Sequence, residues 1–356
     1  MLAAVTTPAP RAVVRTLPAY VPGARVDEGS AFKLSSNENP FDPLPSVVEA
    51  IAGAAGQVNR YPDMLAVELG EALAAKHGVA REAVVAGCGS VAVLGHVLQA
   101  FCDAGTEVVH AWRSFEAYPI VARLQGAVGV PVPLDADSRH DLTAMAAAVG
   151  PRTSAVLVCS PNNPTGPVVH RAELEAFLAA VPSDVLVVLD EAYTEFVRDP
   201  DAPDGPAVLA AHPNVVVLRT FSKAYGLAGL RVGYAIAHPD VAAAVRTAST
   251  PFGVNHLAQV AALASLAAED ELAARVDAVV GERGRVLAGL RAQGWAVPES
   301  EANFVWLPTG ERTAALAADA ARQGLLVRPF AGEGIRVTVG EPAANDRFLE
   351  VAAGWR

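Results

Sequence analysis

The sequence predicts an α/β fold: a large domain built on a buried parallel sheet, followed by a smaller α+β domain. Three observations predict it. Between residues 84 and 237, short apolar runs alternate with helical segments, the pattern of strands covered on both faces. Polar or glycine-bearing segments stand at the ends of these runs, where ligands collect in parallel sheets. After about residue 243 the texture changes to long Ala/Leu/Val/Arg helices and then to further strands. At 356 residues, 52% hydrophobic and 18% charged, the chain has material for two domains.

Taken in order, residues 1–22 read as an irregular arm and Lys33-Leu34-Ser35-Ser36-Asn37-Glu38-Asn39-Pro40 as a polar, turn-forming stretch. Helical patterning begins at Ser46, an N-cap before Val47, Val48, Ala50 and Ile51. Residues 59–63 form a loop and 65–77 an amphipathic helix. Val84-Val85 leads into Gly87-Cys88-Gly89-Ser90 and a helix over 91–101. A strand over 107–111, a helix over 118–125, a strand over 155–159 and a helix over 171–181 follow. Strands at 185–189, 215–218 and 233–237 complete this part. Beyond it come helices over 255–293, a strand at 303–307, a helix over 312–323, strands at 325–328 and 334–339, and a closing helix from Asn345. The expected division is an N-terminal arm with part of the small domain (1–45), a large domain (46–242) and a small C-terminal domain (243–356). No repeat of 20–50 residues is present.

The net charge of −11 argues against non-specific nucleic-acid binding. The three cysteines, Cys88, Cys102 and Cys159, form no C-x-x-C pair, and an odd count suits a reducing compartment. The start lacks the continuous apolar segment of a signal peptide. The longest apolar stretch, 257–268, is interrupted by Gln259 and Ser265 and falls short of the roughly 20 residues a bilayer span needs. The expectation is a cytoplasmic protein that engages neither nucleic acid nor membrane. The eight histidines show no H-x-x-x-H or H-E-x-x-H spacing, so no metal site is expected.

The segment Thr220-Phe221-Ser222-Lys223-Ala224-Tyr225-Gly226-Leu227-Ala228-Gly229-Leu230-Arg231 carries the most chemistry. The plainer reading of Lys223 is a surface lysine beside a turn. Its setting suggests more: two hydroxyls and an arginine able to clamp a phosphate, with nearby cations that lower the amine's pKa and let it attack a carbonyl. Upstream, the apolar run 185–189 ends in Asp190, with Tyr193 following. Asp190 is either a helix N-cap or a buried carboxylate facing a pyridine nitrogen. Tyr193 is either plainly buried or a donor to the 3-oxygen of that ring. Together these residues suit pyridoxal phosphate. Ser160-Pro161-Asn162-Asn163-Pro164-Thr165-Gly166 is a turn by composition, or else it supplies the Asn163 amide near the same oxygen. Gly87-Cys88-Gly89-Ser90 opens a helix where backbone N–H groups can meet an anion; it lacks the Gly-Lys-Ser/Thr of a nucleotide loop. Arg336, among apolar neighbours, needs a carboxylate, either an internal acid or a substrate.

These residues resemble the fold-type I, class II pyridoxal-phosphate aminotransferases. Within them the chain is most similar to the branch that holds histidinol-phosphate aminotransferases and actinobacterial aromatic amino acid (phenylalanine) aminotransferases. The matching motifs are Ser35-Ser36-Asn37-Glu38-Asn39-Pro40, Arg60-Tyr61-Pro62-Asp63, the 160–166 turn, Asp190-Glu191-Ala192-Tyr193, the 220–231 segment and Arg336-Val337-Thr338-Val339-Gly340. They run in family order over nearly the whole chain. The resemblance implies a mixed, mostly parallel seven-stranded sheet, and a small domain combining the arm with the C-terminal third. It implies that Lys223 forms the Schiff base, that Asp190 pairs with the pyridine nitrogen, and that Tyr193 and Asn163 bond the 3-oxygen. Gly89, Ser90, Thr220, Ser222 and Arg231 would hold the phosphate. Phe115 would stack on the ring or serve plainly as core. Tyr61 would reach the phosphate in the neighbouring subunit of a homodimer. Arg336 and Asn37 would bind substrate, and Arg328 would approach its side chain.

Histidinol-phosphate members commonly carry an acidic pair after the Gly-Ser of the phosphate turn, where this chain has Val91-Ala92. Trp112-Arg113-Ser114-Phe115-Glu116 and Val327-Arg328-Pro329-Phe330 resemble the aromatic branch. The expectation is transamination between an aromatic amino acid such as phenylalanine and 2-oxoglutarate, with histidinol phosphate as the alternative substrate. Lys223 would shuttle the proton in a two-stage exchange. Two competing readings are decarboxylation or Cα–Cβ cleavage on the same cofactor, and a cofactor-sensing regulator. The regulator would need a DNA-binding module, for which the roughly 45 residues ahead of the first core helix leave no room.

Overall fold

The structure is a computed structural model that describes residues 8–17 and 31–356. Of the arm expected over 1–22, residues 1–7 and 18–22 lie outside the described residues, and Ala12–Thr16 form a short helix. The strands in chain order are β1 (Phe32–Lys33), β2 (Val84–Gly87), β3 (Glu107–Trp112), β4 (Val128–Pro133), β5 (Thr153–Cys159), β6 (Leu186–Asp190), β7 (Val215–Thr220), β8 (Gly233–Ala237), β9 (Phe304–Leu307), β10 (Leu325–Leu326), β11 (Arg328–Phe330) and β12 (Gly334–Thr338).

Seven of them form one sheet in the order β2-β8-β7-β6-β5-β3-β4. The run from β7 through β4 is parallel, while β8 is antiparallel to both β2 and β7. The fold is therefore α/β with a mixed, mostly parallel sheet. Its strands are apolar on both faces, and the two faces feed separate cores. Val187 and Leu189 of β6, with Val156 and Val158 of β5, pack into one core; Leu186, Val188, Ala155 and Leu157 pack into the other. Helices supply the matching stripes. Leu174, Phe177 and Leu178 of helix Arg171–Ala180 face the first core, and Val93, Leu94, Val97 and Leu98 of helix Ser90–Phe101 face the second.

Several local expectations shift. Strand β4 is an addition to the strands read from the sequence: Pro131 and Pro133 disfavour a central strand, but it is an edge strand, where a missing N–H costs little. Helix Gly205–Ala211 is likewise an addition. The first long helix starts at Pro45 rather than after Ser46, since proline suits the first helical position. The strand expected over 325–328 is two strands. β10 pairs in parallel with β1, and β11 joins β12 and β9 in an antiparallel three-stranded sheet. A third core gathers Leu34 with Val286, Leu290, Trp295, Val305, Ile335 and Phe348, so the segment after β1 packs with the C-terminal part of the chain. Among the described residues, no helix is long and apolar enough to cross a membrane, and no cluster of His, Cys, Asp or Glu could hold a metal ion.

Candidate active site

Strands β5, β6 and β7 lie side by side with their carboxyl ends aligned to within two residues: Cys159 stands opposite Asp190, and Asp190 opposite Leu218. Their carboxyl ends thus deliver three polar segments to one place, the crevice expected of such a sheet. A cavity of about 260 Å³ opens there. Its lining includes Asn37, Ser90, Phe115, Asn163, Asp190, Tyr193, Thr220, Ser222, Lys223, Arg231, Arg328 and Arg336. Of the residues singled out in the sequence, only Gly89 and Tyr61 are absent from that lining. Gly89 adjoins it. Tyr61 is 82% exposed on another part of the surface, its ring 4.6 Å from that of Phe252.

Lys223 follows β7 by three residues, and its Nζ donates to the carbonyl of Ser36 at 3.3 Å. Burial, then the nearby guanidinium of Arg336 and that of Arg231, bring its pKa down to about 7 against the opposing pull of Glu38 and Asp190. Neighbouring cations act in the direction expected from the sequence, but burial is the larger cause. Asn39 holds the lysine's backbone through its side-chain amide, which donates to the carbonyls of Lys223 and Ala224.

Asp190 is the last residue of β6 and is buried. One carboxylate oxygen accepts from the Tyr118 hydroxyl at 2.7 Å, the other from the backbone N–H of Ala192 at 3.2 Å. Desolvation raises its pKa to about 6 despite these bonds. The N-cap alternative fails because no regular helix begins there. Tyr193 accepts from the Asn37 amide at 2.9 Å, which leaves its own O–H free to donate. Asn37 sits at φ 53° and is fixed by Thr338 and by the Asn303 amide. Asn163 accepts from Arg336 at 2.7 Å, and Arg336 also donates to the Ser35 carbonyl at 2.8 Å.

The same lining holds donors for an anion. Thr220 and Ser222 are linked through their hydroxyls at 3.0 Å, and Arg231 reaches Ser222 at 3.4 Å. Ser90 opens the twelve-residue helix Ser90–Phe101, whose N-terminus presents unpaired N–H groups. Gly89 is favoured by its backbone, and a side chain there would push the Arg231 guanidinium out of place. Its φ is +83°, and a Cβ there would stand 2.5 Å from Nη2 of Arg231.

Sequence reasoning missed Tyr118, the donor to Asp190, and Asn162. The Asn162 carboxamide ties together Ser114, Arg113, Thr165 and His140 beneath the 160–166 turn. Asn162 was legible as part of that turn, but Tyr118 carried no local signal.

The sequence profile described as aminotransferase class I and II matches residues 30–351, most of the chain. The chain belongs to this family. It is an aminotransferase of the pyridoxal-phosphate-dependent kind. It is 59% identical to an aromatic amino acid aminotransferase of Streptomyces avermitilis, covering 99% of this chain and 98% of that one. It is 57% identical to one of Thermobifida fusca, over 96% of each. Among solved structures, the histidinol-phosphate aminotransferase of Sinorhizobium meliloti in complex with pyridoxal-5'-phosphate superposes with a TM-score of 0.88 at 30% identity, over 99% of each chain. Histidinol-phosphate enzymes are thus the more distant likeness of this aminotransferase, through structure.

Proposed function

We propose that this aminotransferase exchanges the amino group between an aromatic amino acid and 2-oxoglutarate, as a homodimer in the cytoplasm. The observation that carries the substrate reading is the full-length identity of 59% to a protein named for that activity, against 30% for the histidinol-phosphate relative. The cavity fits pyridoxal phosphate. Its lining combines hydroxyl, helix-terminus and arginine donors with a buried carboxylate and a buried amine.

Ser90, Thr220, Ser222, Arg231 and the Gly89 turn would hold the phosphate. Asp190, Tyr193 and Asn163 would hold the ring, against Phe115. When bound, the group supplies an aldehyde that takes the substrate nitrogen and a protonated ring that draws electrons from the substrate Cα. Asp190 favours a protonated ring nitrogen because ion pairing relieves its own buried charge. The Asn37–Tyr193 bond fixes the direction of the phenolic proton. Arg336 binds the substrate α-carboxylate with a planar fork. The Lys223 amine, neutral above about pH 7, takes the proton from the substrate Cα.

Two features support the assembly and compartment. Phe41, Val48, Val58, Tyr61, Met64 and Phe252 are large apolar side chains at least 40% exposed, as a subunit interface bearing Tyr61 requires. All three cysteines are free thiols, as in a reducing compartment. The test is half-reaction spectroscopy. Phenylalanine added to the holoenzyme should bleach the cofactor's visible band far faster than histidinol phosphate does, and the reverse order would reject the aromatic reading.

A further inference from the structure

Two arginine–glutamate pairs of opposite polarity join the segment after β3 to the β11–β12 hairpin. Arg113 of the segment is paired with Glu333 of the hairpin, its guanidinium lying 4.1 Å from the centre of the Trp112 ring. In the other direction, Arg328 of the hairpin donates from Nη2 to Oε2 of Glu116 in the segment at 2.6 Å. Arg328 is buried, lines the cavity with Phe115, and stands directly across the antiparallel ladder from Arg336. Two like charges placed so are unfavourable, and the Glu116 carboxylate offsets one of them. Arg336 donates to the neutral oxygens of Asn163 and Ser35.

We propose that Glu116 determines substrate specificity: by pairing with Arg328 it leaves the side-chain end of the cavity charge-balanced, so that it takes an uncharged aromatic side chain and rejects a phosphorylated one. The proposal rests on the aromatic reading above. A phosphate brings roughly two negative charges. Drawn to Arg328, it would compete with that charge-assisted hydrogen bond and lie close to the Glu116 carboxylate. An aromatic ring meets neither obstacle. Selectivity thus comes from a repulsive element against the competitor as well as from contact with the preferred substrate.

The test uses holoenzyme and two non-reacting ligands, 3-phenylpropionate and 3-phosphonopropionate, titrated by calorimetry. Wild-type protein should prefer 3-phenylpropionate. Glu116→Gln keeps the side-chain shape without the charge. It should bind 3-phosphonopropionate about ten- to a hundredfold more tightly while 3-phenylpropionate changes by less than about threefold. The KM for histidinol phosphate should fall in parallel, and 2-oxoglutarate, with one charge at that end, should gain less. Glu116→Asp should keep the wild-type preference, and the gain should vanish in Glu116→Gln/Arg328→Gln. If melting shows that Glu116→Gln is misfolded, Glu116→Ser serves in its place. An unchanged preference in the folded variant overturns the proposal, as does a gain that survives loss of Arg328. Wild-type enzyme that turns over histidinol phosphate in preference to phenylalanine overturns instead the aromatic reading beneath it.

Discussion

Arg219 and Lys223 are two cations four residues apart at the end of β7 and just beyond it, and their surroundings drive them in opposite directions. Arg219 turns toward Glu191, 2.7 Å away. Burial works to lower its pKa, but Glu191, with Tyr234 and Glu195 behind it, outweighs burial and holds the guanidinium charged. Lys223 is buried beside other cations, so burial and like charge act together and its amine is neutral for part of the ordinary pH range. Burial alone does not mark function. A buried charge with a matched partner is architecture, and a buried amine set among like charges is held ready to react.

Lys223→Ala is the strongest way to break that contrast. It should lower turnover on the order of 10⁶-fold, as loss of a reacting group does. Yet it should raise the melting temperature of the cofactor-free protein at neutral pH. The sign follows from a folded pKa of about 7, below the ordinary 10.5. Between those values the unfolded chain binds more protons, so the lysine destabilises the fold near neutrality and the penalty fades as pH rises toward 10.5. A variant that loses activity and also melts lower would make Lys223 structural.

Arg219→Met should do the opposite. It strands Glu191 and should cost about 3–5 kcal/mol in urea unfolding; its KM values for either substrate should stay near those of wild type. Asp190→Asn lies between the two. It should cut kcat by roughly 10²–10³-fold, the scale of losing one aligned electrostatic partner. Asp190 is raised to about 6 by burial, so its contribution to stability falls as pH rises from the ordinary carboxylate value through 6. The cofactor-free Asn variant should therefore melt higher than wild type at neutral pH. The smallest effect is that of pH on the half-reaction with amino acid. The rate should fall about tenfold per unit below pH 7 and level off above it, as protons leave the Lys223 amine.

The sequence was legible where meaning is local. Apolar runs such as 185–189 and 215–218 mark buried strands, and the polar residues directly after them mark the crevice, so Asp190, Thr220, Ser222 and Lys223 could be named without coordinates. Strand β4 was hidden because its prolines suit only an edge, and edges are a property of the whole sheet. Tyr118 was hidden because its partner Asp190 is 72 positions away. The Glu116–Arg328 pair spans 212 positions, and neither residue's immediate neighbours announce it. Tyr61 remains apart from the cavity of the single chain, and the resemblance alone gives it a role there.

The most direct measurement of the central claim is borohydride reduction of the holoenzyme followed by peptide mapping. One phosphopyridoxyl group should be found, carried by Lys223. A label on another lysine, or none on protein that still transaminates, would contradict that claim.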